Sequence, residues 1–192
     1  MISILSRTDR WTRAGGIPGH SIPFVCLGFL ILDFGFLAFN GGSQGSISNA
    51  GDGEAFSRAV VNTQVMRSCT IIIGHPQMAC GTAGIVGLFI YKVFSGNYSL
   101  IRSINCSITG MVSVCAGCNL FAPWASCIVA AVGASTYLLL SGLLVALRID
   151  DPVDAIAVHG AGGIVGILAV PVFMEVIRIE IFGAQNLLTF IC

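Results

Sequence analysis

The chain has 192 residues, of which 55% are hydrophobic and 9% are charged, whereas soluble domains carry roughly 25% charged residues. Nine basic and nine acidic residues balance, so no basic patch favours nucleic acid. So few charges cannot cover the surface of a soluble domain, which excludes a soluble enzyme and predicts a single all-α membrane bundle.

The chain begins with a mostly polar segment, residues 1–20, which lacks a signal-peptide cleavage site. The apolar stretches that follow are long enough, or nearly so, to cross a bilayer as helices. They predict about five membrane helices, at residues 21–39, 78–94, 104–118, 125–147 and 155–174.

Turn-forming residues between Asn40 and Ser57 predict a loop. The next apolar stretch, 59–73, is interrupted by Arg67 and ends before Pro76, so it is a weaker candidate for a span. If residues 40–77 form one outer connection, the basic residues on one side of the membrane outnumber those on the other by two to one. The richer side, with Arg102 and Arg148, is predicted to be cytoplasmic.

Two cysteines form a C-x-x-C motif, Cys115-Ala-Gly-Cys118. This spacing also occurs in redox and zinc sites, but here it has no second cysteine pair and no nearby histidine. We therefore interpret these cysteines as small residues at helix contacts and predict no metal site, no cofactor and no enzymatic activity.

A strong helix-start pattern precedes the last span. Asp151 followed by Pro152 is typical of an N-cap and a first helical residue, and Asp154 would then lie in the first turn, near the positive end of the helix dipole. On this helix Ala155 and His159 share a stripe with Gly162, Gly163 and Gly166.

His159 is the one ionisable residue between Ala155 and Met174. In a soluble core such a histidine is usually a satisfied packing residue. Within a membrane span, however, ionisable groups face the bundle interior and mark pathways, which favours a functional role. Neutral imidazole has one donor and one acceptor for a small polar solute. The neighbouring glycines either allow another helix to approach or leave space for a passage.

The first span carries a second stripe, Leu32, Phe36, Phe39 and Ser43, at helical spacing. Such aromatic stripes usually reflect ordinary packing. The functional alternative is a set of rings along a narrow passage with a hydroxyl at its mouth.

Four motifs resemble the ammonium transporter (Amt/Rh) family, in particular its animal-type members. They occur in family order from about Pro18 to Phe173: Gly35-Phe-Leu-Ala-Phe-Asn-Gly-Gly-Ser43, Ala59-Val-Val-Asn-Thr63, Ala116-Gly-Cys-Asn119 and Asp150-Asp-Pro-Val-Asp-Ala-Ile-Ala-Val-His-Gly-Ala-Gly-Gly163. The resemblance implies a polytopic bundle with part of the ammonium transporter fold, in a multi-pass protein of the plasma membrane.

The resemblance also implies roles for single residues. Ser43 would lie at the outer site that recruits ammonium, and Phe39 would be one of two stacked gating phenylalanines. Leu32 and Phe36 would line the pore. His159 would be the second of two pore histidines, with Ala155 one turn before it, and Asp154 the acid at the inner end of that helix. Ammonium or ammonia would be the solute, and the complete protein a homotrimer in the lipid bilayer.

Family members have eleven helices per protomer, and by resemblance this chain begins near the sixth and diverges after residue 174. The segment between Thr63 and Gly81 is about a dozen residues too long, so residues 65–77 are interpreted as an aberrant insert. Two alternatives to transport remain open. One is a truncated, non-conducting membrane polypeptide. The other is a membrane thiol-redox protein, whose activity would depend on Cys115 and Cys118.

Overall fold

The computed structural model describes residues 21–68 and 81–182. Within these ranges the chain is all-α and forms six helices. They are α1 (Ile22–Gly42), α2 (Asp52–Ser68), α3 (Gly81–Ser95), α4 (Leu100–Cys115), α5 (Pro123–Ala146) and α6 (Ala155–Phe182). The polar N-terminal segment (residues 1–20), residues 69–77 of the interpreted insert and residues 183–192 of the divergent tail (175–192) lie outside the described residues.

Three of the described helices are long and apolar enough to cross a membrane: α1, the Trp124–Ala146 part of α5 and the Ala155–Phe173 part of α6. Helices α3 and α4 are apolar but shorter. The predicted set of about five apolar helices is thus present in the fold.

Several boundaries differ from the sequence-based prediction. The predicted loop of residues 40–57 is shorter, because α1 continues to Gly42 and α2 already begins at Asp52. Helix α4 begins at Leu100 rather than near Ile104, since the Ser99 side chain accepts a hydrogen bond from the Arg102 N–H and caps the helix. Helix α6 continues beyond residue 174 to Phe182.

Helix α4 is the centre of the bundle and contacts each of the other five described helices. Its neighbours approach closely because they present glycine to small α4 side chains. Gly84 and Gly87 of α3 face Ser107 and Cys106, and Gly133 of α5 faces Ser113. This is the packing expected of membrane helices, where small residues bring backbones together.

Buried hydroxyl groups on α4 bond to the carbonyl four residues earlier. Thr109 Oγ1 donates to the Asn105 carbonyl at 2.7 Å, and Ser113 Oγ donates to the Thr109 carbonyl at 2.8 Å. These two hydroxyls therefore satisfy their hydrogen-bonding capacity on their own helix, so they can lie against the glycines of neighbouring helices without a partner there.

Candidate functional site

The turn before α6 is built around two carboxylates with different tasks. Asp151 caps the helix: its Oδ1 accepts a hydrogen bond from the N–H of Ala155 at 2.8 Å, and its Oδ2 accepts from the N–H groups of Ile156 and Ala157 at 2.8 and 3.2 Å. Three N–H groups at the start of a helix otherwise lack partners. The Asp151 carboxylate is buried and accepts hydrogen bonds from all three of these N–H groups.

The predicted start of this helix at Pro152 is wrong, because α6 begins at Ala155. Asp154 has φ of 54°, a left-handed conformation that a right-handed helix cannot contain. Asp154 therefore lies before the helix rather than in its first turn, and its side chain has partners other than the helix dipole.

Asp154 accepts hydrogen bonds from two neighbouring helices. From α4, Arg102 Nη1 donates to its Oδ2 at 3.0 Å and Asn105 Nδ2 at 3.1 Å. From α5, the Tyr137 hydroxyl donates to Oδ2 at 2.9 Å and the Ser141 hydroxyl to Oδ1 at 3.2 Å. We call these five residues the Asp154 network. It joins α4, α5 and the start of α6 at one end of the bundle.

The two protons on Arg102 Nη1 are shared among three acceptors, the Tyr137 and Ser141 hydroxyls and Asp154 Oδ2. The Tyr137 and Ser141 hydroxyls each give their proton to Asp154, so their lone pairs are available to accept from Arg102 Nη1, and both do. Asn105 divides its two amide protons between Asp154 and Tyr137. Hydrogen bonds from four side chains to one carboxylate fix how α4, α5 and the turn before α6 pack together.

The sequence reasoning missed four of these five residues. Arg102 was counted only as a charge on the cytoplasmic side, and Asn105, Tyr137 and Ser141 were not singled out. The spacing of Arg102 and Asn105, three residues apart on one helix, places both on one face and is the one sequence signal that pointed to a shared partner.

The glycines of α6 separate into two faces. A Cβ added to Gly162 would lie 3.0 Å from the Thr109 carbonyl oxygen, and one added to Gly166 would lie 2.7 Å from the Ser113 carbonyl oxygen. These glycines allow α4 to approach. Gly163 has open space where its Cβ would be, and His159, four residues before it, is exposed.

The stripe on α1, which consists of Leu32, Phe36, Phe39 and Ser43, makes few contacts with the other described helices. Leu32 and Phe39 are 42% and 64% exposed. The rings of Phe36 and Phe39 meet edge to face at a centroid distance of 6.5 Å, and Ser43 Oγ donates a hydrogen bond to the Phe39 carbonyl at 2.7 Å. Phe36 is partly buried against the cluster of Phe29 with Ile104 and Met111 of α4.

Phe39 and His159 lie on helices that do not contact each other in the described part of the chain. Helix α1 contacts α2 and α4, and α6 contacts α4 and α5. Ala155, one turn before His159, is partly buried. The described helices therefore do not bring Phe39 and His159 into contact.

Three of the four sequence motifs meet at the other end of the bundle. Asn40 Nδ2 of α1 donates to Thr63 Oγ1 of α2 at 2.9 Å. Asn62 Nδ2 donates to the carbonyls of Cys118 and Phe121, both at 2.6 Å, in the turn after α4. Asn62 and Thr63 thus connect α2 to α1 and to the α4–α5 turn.

The C-x-x-C motif lies in this region. Cys115 Sγ donates to the Met111 carbonyl at 3.1 Å, one turn earlier on α4, and Cys118 is buried. Both are free cysteines, and no group of three or more histidine, cysteine or acidic residues in the described ranges has the arrangement of a metal site.

The profile of the Ammonium Transporter Family matches residues 2–187, which is most of the chain. The chain belongs to the ammonium transporter family. Its members are membrane transporters rather than enzymes, and this chain is a multi-pass membrane protein of that family.

Individual relatives agree with the ammonium transporter assignment. The chain is 46% identical to the "Putative ammonium transporter 1" of Caenorhabditis elegans over 162 residues, which are 84% of this chain and 28% of that protein. It is 33% identical over 173 residues to ammonium transporter 3 of Dictyostelium discoideum, covering 87% of this chain and 37% of the relative. The chain therefore spans about a third of the length of these relatives.

Solved structures share the ammonium transporter fold. A protein described as a "Sensor Amt Protein" superposes with a TM-score of 0.71 at 25% identity, covering 88% of this chain and 37% of that one. A Mep2 mutant from Candida albicans superposes with a TM-score of 0.68 at 26% identity, covering 91% and 39%. The described helices therefore have part of the ammonium transporter fold.

Proposed function

We propose that this chain forms part of a hydrophobic pore that conducts ammonium or ammonia across the plasma membrane, with His159 inside the pore. The observation that carries the proposal is the exposed His159 side chain on a membrane-length helix. An ionisable side chain in a span avoids lipid and faces a bundle interior or a water-filled cavity. The face of α6 that bears His159 is therefore expected to border a passage.

The chemistry of this passage follows from desolvation. A charged group at the bilayer centre costs at least about 2.5 kcal/mol, so an apolar pore favours loss of a proton from ammonium on entry. Neutral imidazole can then accept a hydrogen bond from ammonia or donate one to it, without the strong attraction that a charged side chain would exert on an ion. Ammonia and the proton would cross by separate routes, and sodium and potassium, which have no proton to lose, would be excluded by their hydration.

The α1 stripe would contribute the opposite part of the pore wall. In this proposal Phe39 gates the passage, Phe36 and Leu32 line it, and Ser43 helps to recruit ammonium at its mouth. The exposure of Leu32 and Phe39 supports such a wall, because these two side chains are not packed against the described helices. The complete protein would assemble as a homotrimer.

Ammonium uptake in a transport-deficient host tests this proposal. The chain, its His159→Ala variant and a Leu168→Ala control are expressed at equal levels, and growth on ammonium and ammonium-evoked current are measured. Leu168 is exposed on the same helix. We expect His159→Ala to lower uptake by about 5- to 150-fold, because an unmade hydrogen bond in a desolvated site costs about 1–3 kcal/mol.

Each outcome decides a point. Selective uptake that depends on His159 and not on Leu168 supports the pore. Uptake that is unchanged in His159→Ala contradicts the role of the imidazole. No uptake by the chain with normal membrane insertion supports the alternative of a non-conducting membrane polypeptide.

A further inference from the structure

One nitrogen of Arg102 lies among three oxygens that come from other helices. Nη1 donates to Asp154 Oδ2 and to the Tyr137 hydroxyl, both at 3.0 Å, and to the Ser141 hydroxyl. Tyr137 and Ser141 belong to α5, and Asp154 precedes α6. We call these three residues the oxygen cage. Helix α4 adds the guanidinium that fills it and the Asn105 amide, which donates to Asp154 and Tyr137.

The oxygen cage has the chemistry of a receptor for an N–H cation. It carries one negative charge, and both of its hydroxyl protons are already given to Asp154. What remains towards Arg102 is a set of acceptor lone pairs, which suits a positively charged group with several N–H protons. The Tyr137 ring adds to this, since Arg102 Cζ lies 6.0 Å from its centroid.

We propose that Asp154, Tyr137 and Ser141 form a binding site for a small N–H cation and that Arg102 is its tethered occupant. The contacts between the cage members persist without Arg102, because Tyr137 and Ser141 bond to Asp154 directly. Removal of the guanidinium therefore leaves a vacant anionic site. A guanidinium or ammonium ion from solution is expected to fill it.

This site is independent of conduction through the pore. A tethered cation has a high effective concentration at its site and excludes soluble competitors. If the proposed function holds, Arg102 has a second consequence: it keeps a cation-binding carboxylate near the start of α6 from retaining ammonium.

Chemical rescue tests the proposal without transport. The purified chain and its Arg102→Ala variant are unfolded by heat in detergent with millimolar guanidinium, ammonium or tetramethylammonium chloride. We expect Arg102→Ala to lower the melting temperature. Guanidinium and, less strongly, ammonium should restore it, with a recovery that rises with the logarithm of concentration above the dissociation constant.

Tetramethylammonium has the same charge but no N–H proton, so it should give no recovery. Arg148→Ala is the matched control, since Arg148 is an exposed arginine just after α5, and its melting temperature should not respond to any of the three salts. Adding Asp154→Asn to Arg102→Ala should abolish the rescue.

No recovery of Arg102→Ala with guanidinium or ammonium overturns the proposal, as does equal recovery with tetramethylammonium. If Arg102→Ala yields no folded protein, the same salts are supplied during extraction and the yield of monodisperse protein is measured. Yield that returns only with the N–H cations supports the site, and yield that returns with none of the salts refutes it. Failure of ammonium uptake would bear on the proposed function alone.

Discussion

Gly166 and Gly163 offer a matched pair of substitutions on one helix. An alanine Cβ at Gly166 would lie 2.7 Å from the Ser113 carbonyl oxygen, whereas one at Gly163 would meet nothing within 4 Å. The first contact is with backbone of the central helix, which cannot move aside as a flexible side chain can. Gly166→Ala must therefore push α6 away from α4.

The magnitude follows from two terms. Both substitutions replace glycine by alanine inside α6 and gain about 0.5–1 kcal/mol of helix preference. Only Gly166→Ala carries the overpacking term, which is typically about 1–3 kcal/mol. The helix preference cancels in the comparison, so we expect Gly163→Ala to be the more stable variant by about 1–3 kcal/mol.

Unfolding in mixed detergent with increasing dodecyl sulfate, followed by circular dichroism, measures the difference. The two variants carry the same substitution on the same helix, so the change in helix preference is matched and the contact with α4 is what differs. Equal stability of the two variants, or a less stable Gly163→Ala, would refute the close contact of α6 with α4 at Gly166.

Three further predictions concern other parts of the chain. Asp151→Ala should destabilise the chain by about 0.5–2 kcal/mol through loss of the α6 cap, and unchanged stability in the same unfolding assay would contradict the three hydrogen bonds of its carboxylate. Asn62→Leu should cost about 1–3 kcal/mol, because it leaves two buried carbonyls without donors; unchanged stability would contradict the two short hydrogen bonds. Sequencing of mature transcripts should show a form that lacks the codons for residues 65–77, and retention of these codons in every form would rule out the interpretation as an insert.

The interpretation of residues 65–77 is energetic. Threading Arg67 through lipid costs about 2.5–3.5 kcal/mol, and Pro76 removes a backbone hydrogen bond that lipid cannot replace. Without the insert, the run from Val60 to Tyr91 would be uncharged, and we expect it to form one helix long enough to span. Helix α2 extends to Ser68 and α3 begins at Gly81; residues 69–77 of the segment lie outside the described residues.

The sequence by itself determined the class of the protein and the order of its helices. Charge scarcity and long apolar runs identify membrane helices because lipid accepts almost nothing else. The four motifs indicated the family because each is a short run of consecutive residues, which can be recognised in one sequence without knowing any tertiary contact. The pore roles of Phe39 and His159 stay predictions. The motifs point to these two residues, but both side chains are exposed on the described helices and have no contact there that tests the roles.

The tertiary structure alone decided which polar residues act together. Asp154 was predicted to face the helix dipole because its neighbours in sequence suggest a helix start. The left-handed backbone at Asp154 instead turns its carboxylate towards Arg102 and Tyr137, which are 52 and 17 residues away in the chain. Periodicity in the sequence describes one helix at a time. The partner of a buried charge, in contrast, is set by the packing of three helices, which decides what lies within hydrogen-bond distance. An unpaired charge in an apolar interior costs far more free energy than a strained backbone angle, so the backbone at Asp154 adopts the conformation that reaches these partners.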